Sequence, residues 1–372
     1  MKNVLDINTR YNRLESLNFI QRFATAYMYL ETLTNTAGNV CNPDIFGYCA
    51  GCNGDCKKDE ATGIRCKFFF LFNTMSGNSA IRCHFDSKPT ETQKLVGDTD
   101  EEKHGCGSDF MIDFLFGYAG YDYRKCTDAA MFKDEIIAAI NAGKPVIAKV
   151  KSDSSRFYFV NGYDGDALMC PDFTNKHWNF VKNGWETIGP DGPPIYDAID
   201  TLYIFGDKTA RRHTLKDGLQ NIRRAMESNI REKVWDGYLA KLDGNEFIKL
   251  PPEQRKARAL RLYETVPYVF NIVSFMGAFA SDKNPHSHYL HQELWVHPAF
   301  AELANRINEQ HWIILNNGHK FGGFANRDWL HVDPSEIPGI CTGMCEVIEE
   351  IKKSDMRLLE LINQAIEIFD NK

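Results

Sequence analysis

The chain has 372 residues, 43% of them hydrophobic and 25% charged, with a formal net charge of −7. That balance is too apolar for a disordered chain, and its acidity argues against non-specific binding to nucleic acid or an anionic membrane surface. No apolar run reaches the ~18 residues that cross a bilayer, and Met1 to Asp6 lacks the apolar core of a signal peptide. A cytoplasmic protein with neither membrane nor nucleic-acid partners is expected. The length suits two domains, and the eleven cysteines then read as thiols or metal ligands rather than disulfides.

In chain order, Leu14 to Leu33 carries apolar residues at Leu14, Leu17, Ile20, Phe23, Tyr27 and Leu30, a helical period. The stretch from Thr34 to Cys66 has no period and is rich in Asn, Gly, Cys and Asp, as a long loop or insertion would be. Lys67–Asn73 and Ser79–Phe85 flank Thr74-Met75-Ser76-Gly77-Asn78, a pattern that predicts a β-hairpin around Gly-Asn. Ser108 is placed to N-cap a helix running to about Tyr118 and ended by Gly120. Asp128 caps the next, Ala129 to Asn141, with Gly143 as its stop. Strands are expected at Pro145–Val150, Phe157–Val160, Ala167–Met169 and Leu202–Phe205.

From Thr214 onward the strand signals vanish. Helices are expected at Leu215–Ser228, Arg231–Leu242, Pro252–Phe279, His297–Leu315, Gly343–Ile351 and Ser354–Phe369. The composition shift near Gly206–His213 places the domain boundary there. Residues 1–206 form an α+β domain with a Cys-rich insertion at about 34–107, and 207–372 form an all-α domain. The basic clusters Arg211-Arg212-His213 and Arg255-Lys256-Ala257-Arg258 read as solvated helical faces.

Two groups have the composition of metal sites. Cys49, Cys52 and Cys56, followed by Cys66, offer thiolates from a loop that would gain folding energy from a structural zinc or an iron–sulfur group. The spacing is not two separated Cys-x2-Cys pairs, so free thiols are the alternative. His286, His288, His291 and His297 are dense in imidazole, but Pro285 and Pro298 break the segment and a polar connection is the better reading. Gly318 to Gly323 lacks the spacing of a phosphate loop, and Asp164-Gly165-Asp166 is a turn rather than a calcium loop.

The segment Gly143-Lys144-Pro145-Val146-Ile147-Ala148-Lys149-Val150, then Arg156 to Val160 and Asn161-Gly162-Tyr163-Asp164, carries a resemblance. Residues 108–206 resemble the second half of the papain-like fold in double-glycine leader peptidases, and the N-terminal domain of the butirosin-biosynthesis acyltransferase. The resemblance implies a papain-like α+β domain followed by a helical domain. It also implies a nucleophile early in the first long helix, a histidine opening the strand after the Gly-Lys-Pro-Val-Ile strand, and an orienting carboxylate at the close of the next.

Carried over by position, the nucleophile falls at Ser16, the base at Arg156 and the orienting group at Asp172. No cysteine stands at the first, and an arginine stays charged and cannot accept a proton. Arg156 can instead grip a carboxylate bidentately, with Asp164 and Ser16 near such a cleft; pairing with Asp153 or Asp172 is its structural alternative. A residual thiol reading rests on Cys106, just before the helix that Ser108 caps, where a dipole would activate it. The other reading of Cys106 is a glycine-rich turn with an incidental thiol. Three functions follow. The first is an eroded papain-like protein binding a peptide or acid-bearing small molecule. The second is an active thiol hydrolase or acyltransferase using Cys106, or another thiol, with a histidine from elsewhere and Asp172 to orient it, and the third a partner-binding scaffold.

Overall fold

The structure is a computed structural model that describes residues 2–5, 19–33, 71–82, 108–151, 153–171, 178–181, 196–265 and 298–370; for 153–156, 171 and 178–181 it describes the backbone path. The architecture is mixed α and β, with antiparallel sheets followed by C-terminal helices. The chain divides into two compact units, Met1–Phe72 with Gly97–Thr214, and Asn73–Val96 with Leu215–Lys372. Among the described residues, no helix is long and apolar enough to cross a membrane.

The first unit contains β1 (Lys2–Val4), α1 (Phe19–Leu33), α2 (Asp109–Ala119), β2 (Tyr121–Cys126), α3 (Phe132–Asn141), β3 (Val146–Val150), β4 (Asp153–Val160), β5 (Gly162–Asp164), β6 (Ala167–Pro171), β7 (Trp178–Val181) and β8 (Ile199–Lys208). They form two antiparallel sheets, ordered β1-β5-β6-β7 and β2-β8-β3-β4. Asn161 joins β4 to β5 and stitches in the N-terminus: its amide Nδ2 donates to the Leu5 carbonyl at 2.9 Å, and its carbonyl accepts from the Leu5 N–H at 2.8 Å.

In the second sheet, Phe157 pairs with Lys149, which pairs with Thr201, while Phe159, Ile147 and Tyr203 pair likewise. Paired residues share a face, so this face presents Phe157, Phe159, Tyr203 and Phe205 together. Helix α1 covers it. Phe19 meets Phe157 and Tyr203 edge-on, each at 5.3 Å, and Phe23 packs on Phe205 and on Phe116 of α2. These rings are fully or almost fully buried, each contributing roughly 1.5–3 kcal/mol by leaving water. Arg22 of α1 donates from Nε to the Phe157 carbonyl at 3.0 Å, so a buried guanidinium sets the height of α1 over β4.

The expected start of α2 is present. Ser108 Oγ accepts from the Met111 N–H at 3.1 Å, and Gly120 closes the helix in the left-handed region. Asp128 caps a 3-10 turn, Ala129–Met131, that leads into α3. Arg211 and Arg212 are exposed, as a solvated basic cluster would be, while His213 is half-buried. The Arg212 N–H donates to the Gly117 carbonyl, and His213 stacks on Phe114 of α2 at 4.9 Å.

The second unit contains α4 (Leu215–Arg231), α5 (Val234–Leu239), α6 (Gly244–Lys249), α7 (Pro252–Thr265), α8 (Pro298–Ala325) and α9 (Ile337–Asp370). The segment from Asn73 belongs here, although the sequence pattern places it in an insertion of the first domain. The predicted hairpin around Gly77 is absent. Residues 71–75 are helical, Gly77 is left-handed at φ 85°, and a 3-10 turn follows at Asn78–Ala80. Small polar side chains close this turn on itself: Asn78 Nδ2 donates to Asn73 Oδ1 at 2.6 Å, and Ser79 Oγ to Thr74 Oγ1 at 3.2 Å. All of 71–80 is buried, so neither strand alternation nor an exposed hairpin tip exists. A Cβ at Gly77 would stand 2.8 Å from the Asn221 carbonyl oxygen, which makes glycine obligatory there twice over.

Helix α9 runs unbroken for 34 residues where two helices separated at Lys352–Lys353 are expected. The polar pair Ser354-Asp355 resembles a break in the apolar stripe, but both residues are buried. The Asp355 carboxylate is gripped by Arg82 through Nη2 at 2.8 Å and Nε at 3.1 Å, and by Trp235 Nε1 at 2.9 Å. Gly318, Gly322 and Gly323 lie inside α8. A Cβ at Gly322 would meet the Tyr263 ring at 2.8 Å, so that glycine permits close packing of α7. Arg255 is also buried, donating to the carbonyls of Phe247 and Ile248 at the end of α6. His311 is held neutral: burial pulls its imidazole down to about 3 and Arg82 adds to the effect, while a bond from Nδ1 to the Ile307 carbonyl opposes it.

Arg82 and Asp355 are 3% and 5% exposed in their side chains, so removing one partner strands the other in a medium that cannot solvate it. Asp355→Ala is expected to lower the unfolding free energy by about 3–5 kcal/mol in urea titration. The double change Arg82→Met with Asp355→Leu is expected to recover most of that loss. Equal losses in the single and double variants would contradict this account of the pair.

Candidate functional site

The edge of the second sheet under the start of α1 is irregular. Lys149 of β3 pairs with Phe157, but the next residue, Val150, pairs with Asp153, so 154–156 on β4 have no partner on β3. At the same step β3 pairs Lys149 with Thr201 and Val150 with Ile199, leaving Asp200 over on β8. Two bulges therefore flank one step of β3, and bulges re-aim the side chains they carry. The backbone of Arg156 lies in the first, and Asp200 is the whole of the second.

Around this step, Lys149 Nζ lies 3.9 Å from Asp200 Oδ2, and Thr201 Oγ1 donates to the same oxygen at 3.0 Å. Side-chain exposures of 27% and 46% put the ion pair at the border of solvent. At that distance and exposure its strength is at most about 1 kcal/mol, so an incoming anion can take the ammonium from Asp200 at low cost. Tyr203 lies beneath. Its phenol is pushed well above the ordinary value by burial first, then by the Asp109 carboxylate, with Tyr123 and Asp200 adding to the shift. Asp109, in the first turn of α2, accepts from Lys125 Nζ at 2.7 Å. The starts of α1 and α2 thus converge here: Phe19 touches Tyr203 and Phe157, and Asp109 acts on Tyr203.

The sequence-derived residues distribute unevenly. Ser16, Cys106, Asp172, Cys49, Cys52, Cys56 and Cys66 lie outside the described residues, as do His286 to His297. Arg156 is at the bulge. Asp164 closes β5, at the far end of the β4–β5 run from Arg156, and its carboxylate faces Lys2 at 3.7 Å across the β1–β5 ladder. The structure does not bring these two together. Among the described residues there is no group of three or more metal-ligating side chains, and Cys126, Cys341 and Cys345 are free thiols. Cys126 pairs with Leu202 and therefore looks to the opposite face of the sheet from Tyr203. Cys341 is a buried thiol pushed up to about 11 by desolvation, which makes it a poor nucleophile.

Lys149, Asp200 and Tyr203 were not singled out by sequence reasoning. The signal that could have found them is a charge inside an apolar strand, Lys149 in Val-Ile-Ala-Lys-Val, opposite a strand beginning Ile-Asp-Thr. No protein-family model matches the sequence, and no curated protein matches it.

The described part of this arrangement offers a cation at a solvent border, a bulged backbone and a floor of buried rings. It can bind and orient an anion. Because the native phenol of Tyr203 titrates above its unfolded value near 10, both states are protonated below pH 10. Above that pH the unfolded chain loses the proton first, so the stability linked to this phenol falls as pH rises. Tyr203→Phe is expected to flatten part of the decline in melting temperature between about pH 10 and 11.5, measured by circular dichroism. Identical alkaline slopes in the two proteins would contradict the assignment.

Proposed function

We propose that the sheet-bearing unit is a papain-like domain with an eroded Cys/His site, and that it binds a carboxylate at the β3–β4–β8 bulge. The carboxylate belongs to a peptide or to an acid-bearing small molecule. The observation that carries this reading is the bulge itself. Arg156, the residue at the position of the expected base, sits in an unpaired loop of strand beside Lys149, next to the residue on which the start of α1 packs. A guanidinium suits a planar anion and cannot act as a base, and Lys149 adds an ammonium on the neighbouring strand. The antiparallel sheets and the helix packed across one of them support the papain-like reading, and a cytoplasmic setting is part of the same proposal.

The test is isothermal titration of the full chain with a short peptide bearing a free C-terminal carboxylate, and with the same peptide amidated. The carboxylate form is expected to bind at least tenfold tighter, a difference of about 1.4 kcal/mol. Arg156→Gln is expected to abolish the preference, and Lys149→Gln to weaken binding several-fold. Equal binding of the two forms would overturn the proposal. Release of product from a thioester substrate, lost in Cys106→Ala, would establish the thiol-enzyme reading in its place.

A further inference from the structure

The helical unit contains a cavity of about 280 Å³ where α4, α5 and α9 meet. Its wall is apolar: Met226, Ile230, Val234, Trp235 and Met356 all line it. Ile230 and Met356 are 42% and 51% exposed, so two of these side chains present apolar surface to solvent at the mouth. The polar groups of the lining are already engaged. Asp355 is held by Arg82 and Trp235, Asn229 Nδ2 donates to the Ala80 carbonyl, and Lys352 pairs with Asp236 at 2.7 Å. Lys233 is the exception. It is exposed and has no ion-pair partner among the described residues.

Lys233 is also conformationally out of place. It follows α4 and precedes α5 at φ 53° and ψ 42°, and among the described residues it is the only non-glycine at positive φ. A position after a helix in the left-handed region ordinarily takes glycine or asparagine, because a Cβ is strained there. A strained side chain that makes no ion pair of its own points to a role at the cavity mouth. With Asp355 matched by Arg82 and Asp236 by Lys352, Lys233 leaves the mouth one positive charge in excess.

We propose that this cavity binds a linear amphiphilic acid, with its alkyl chain against Met226, Trp235 and Met356 and its carboxylate at the Lys233 ammonium. At roughly 30 Å³ for each methylene-sized group, the volume a water takes in the liquid, the cavity accommodates about nine such groups. That matches a medium-length acyl chain. An apolar wall with one placed charge is the usual composition of a small-molecule pocket. The site is independent of the carboxylate site on the sheet-bearing unit and uses none of its residues.

The test is calorimetric titration of the full chain with decanoate and with decylammonium, which share a tail length and differ in the sign of the head. Decanoate is expected to bind one to one and at least tenfold tighter than decylammonium. Lys233→Gly is expected to hold or raise the melting temperature, by relieving the left-handed strain, while erasing the preference for the acid. Met356→Asp is expected to weaken decanoate at least tenfold and leave Lys233 in place. Equal affinities for the two amphiphiles, no binding of decanoate, or unchanged selectivity in Lys233→Gly would each overturn the proposal.

Discussion

A guanidinium taken out of water must find acceptors, and the helical unit is arranged around one that does. Arg82 spreads its donors over both oxygens of Asp355 and the carbonyls of Ser79 and Ile81, while its backbone N–H reaches Asn229 Oδ1. Asn229 returns a bond to the Ala80 carbonyl, and Asn221 does the same for Met75. A short segment, remote in sequence, is thereby fixed against α4 and α9, and its turn is buried rather than exposed. The same pair holds Trp235 in place, and with it one wall of the apolar cavity. Stability, segment placement and cavity shape in this unit all depend on keeping that charge satisfied.

The sheet-bearing unit solves a related problem with Arg22, whose Nε bond to the Phe157 carbonyl locks the first long helix onto β4. Among the described residues, the candidate site of that unit lies beside this contact. Phe19 bridges Phe157 and Tyr203, Asp109 acts on Tyr203 from the start of α2, and the β3 step between Lys149 and Val150 carries a bulge on each side. The charges here are loosely paired at the border of solvent, in contrast to the dry pair in the helical unit. Loose pairing costs little stability and leaves an ammonium available to a ligand.

Much of the fold was legible where local chemistry and tertiary context agree. Ser108, Gly120 and Asp128 mark helix ends by capping geometry that operates within a few residues. The apolar strands β3, β4 and β8 announce themselves because consecutive residues, on both faces, are buried. Strand β2 was missed because Tyr-Asp-Tyr-Arg-Lys-Cys is an edge, and charged residues are how an edge avoids unwanted pairing. The Gly77 turn was misread because its burial and its bonds to Asn221 and Asn229 come from residues some 145 positions away. The break assigned before Ser354 failed for the same reason, since Asp355 is apolar-facing only in the company of Arg82. At the site, Arg156 was legible as an arginine standing where a base would be expected. The bulges, and with them Lys149 and Asp200, were not, because register is a property of strand pairs rather than of any one strand.

The central claim is that the sheet-bearing unit binds without covalent chemistry. The measurement that bears on it most directly is intact-mass trapping of the native full chain after mixing with an excess of an activated acyl ester, compared with the unfolded chain. The account predicts that native thiols and hydroxyls acylate no faster than in the unfolded chain, with no stoichiometric adduct. Rapid, stoichiometric acylation of Cys106 or Ser16 in the native protein alone would contradict it.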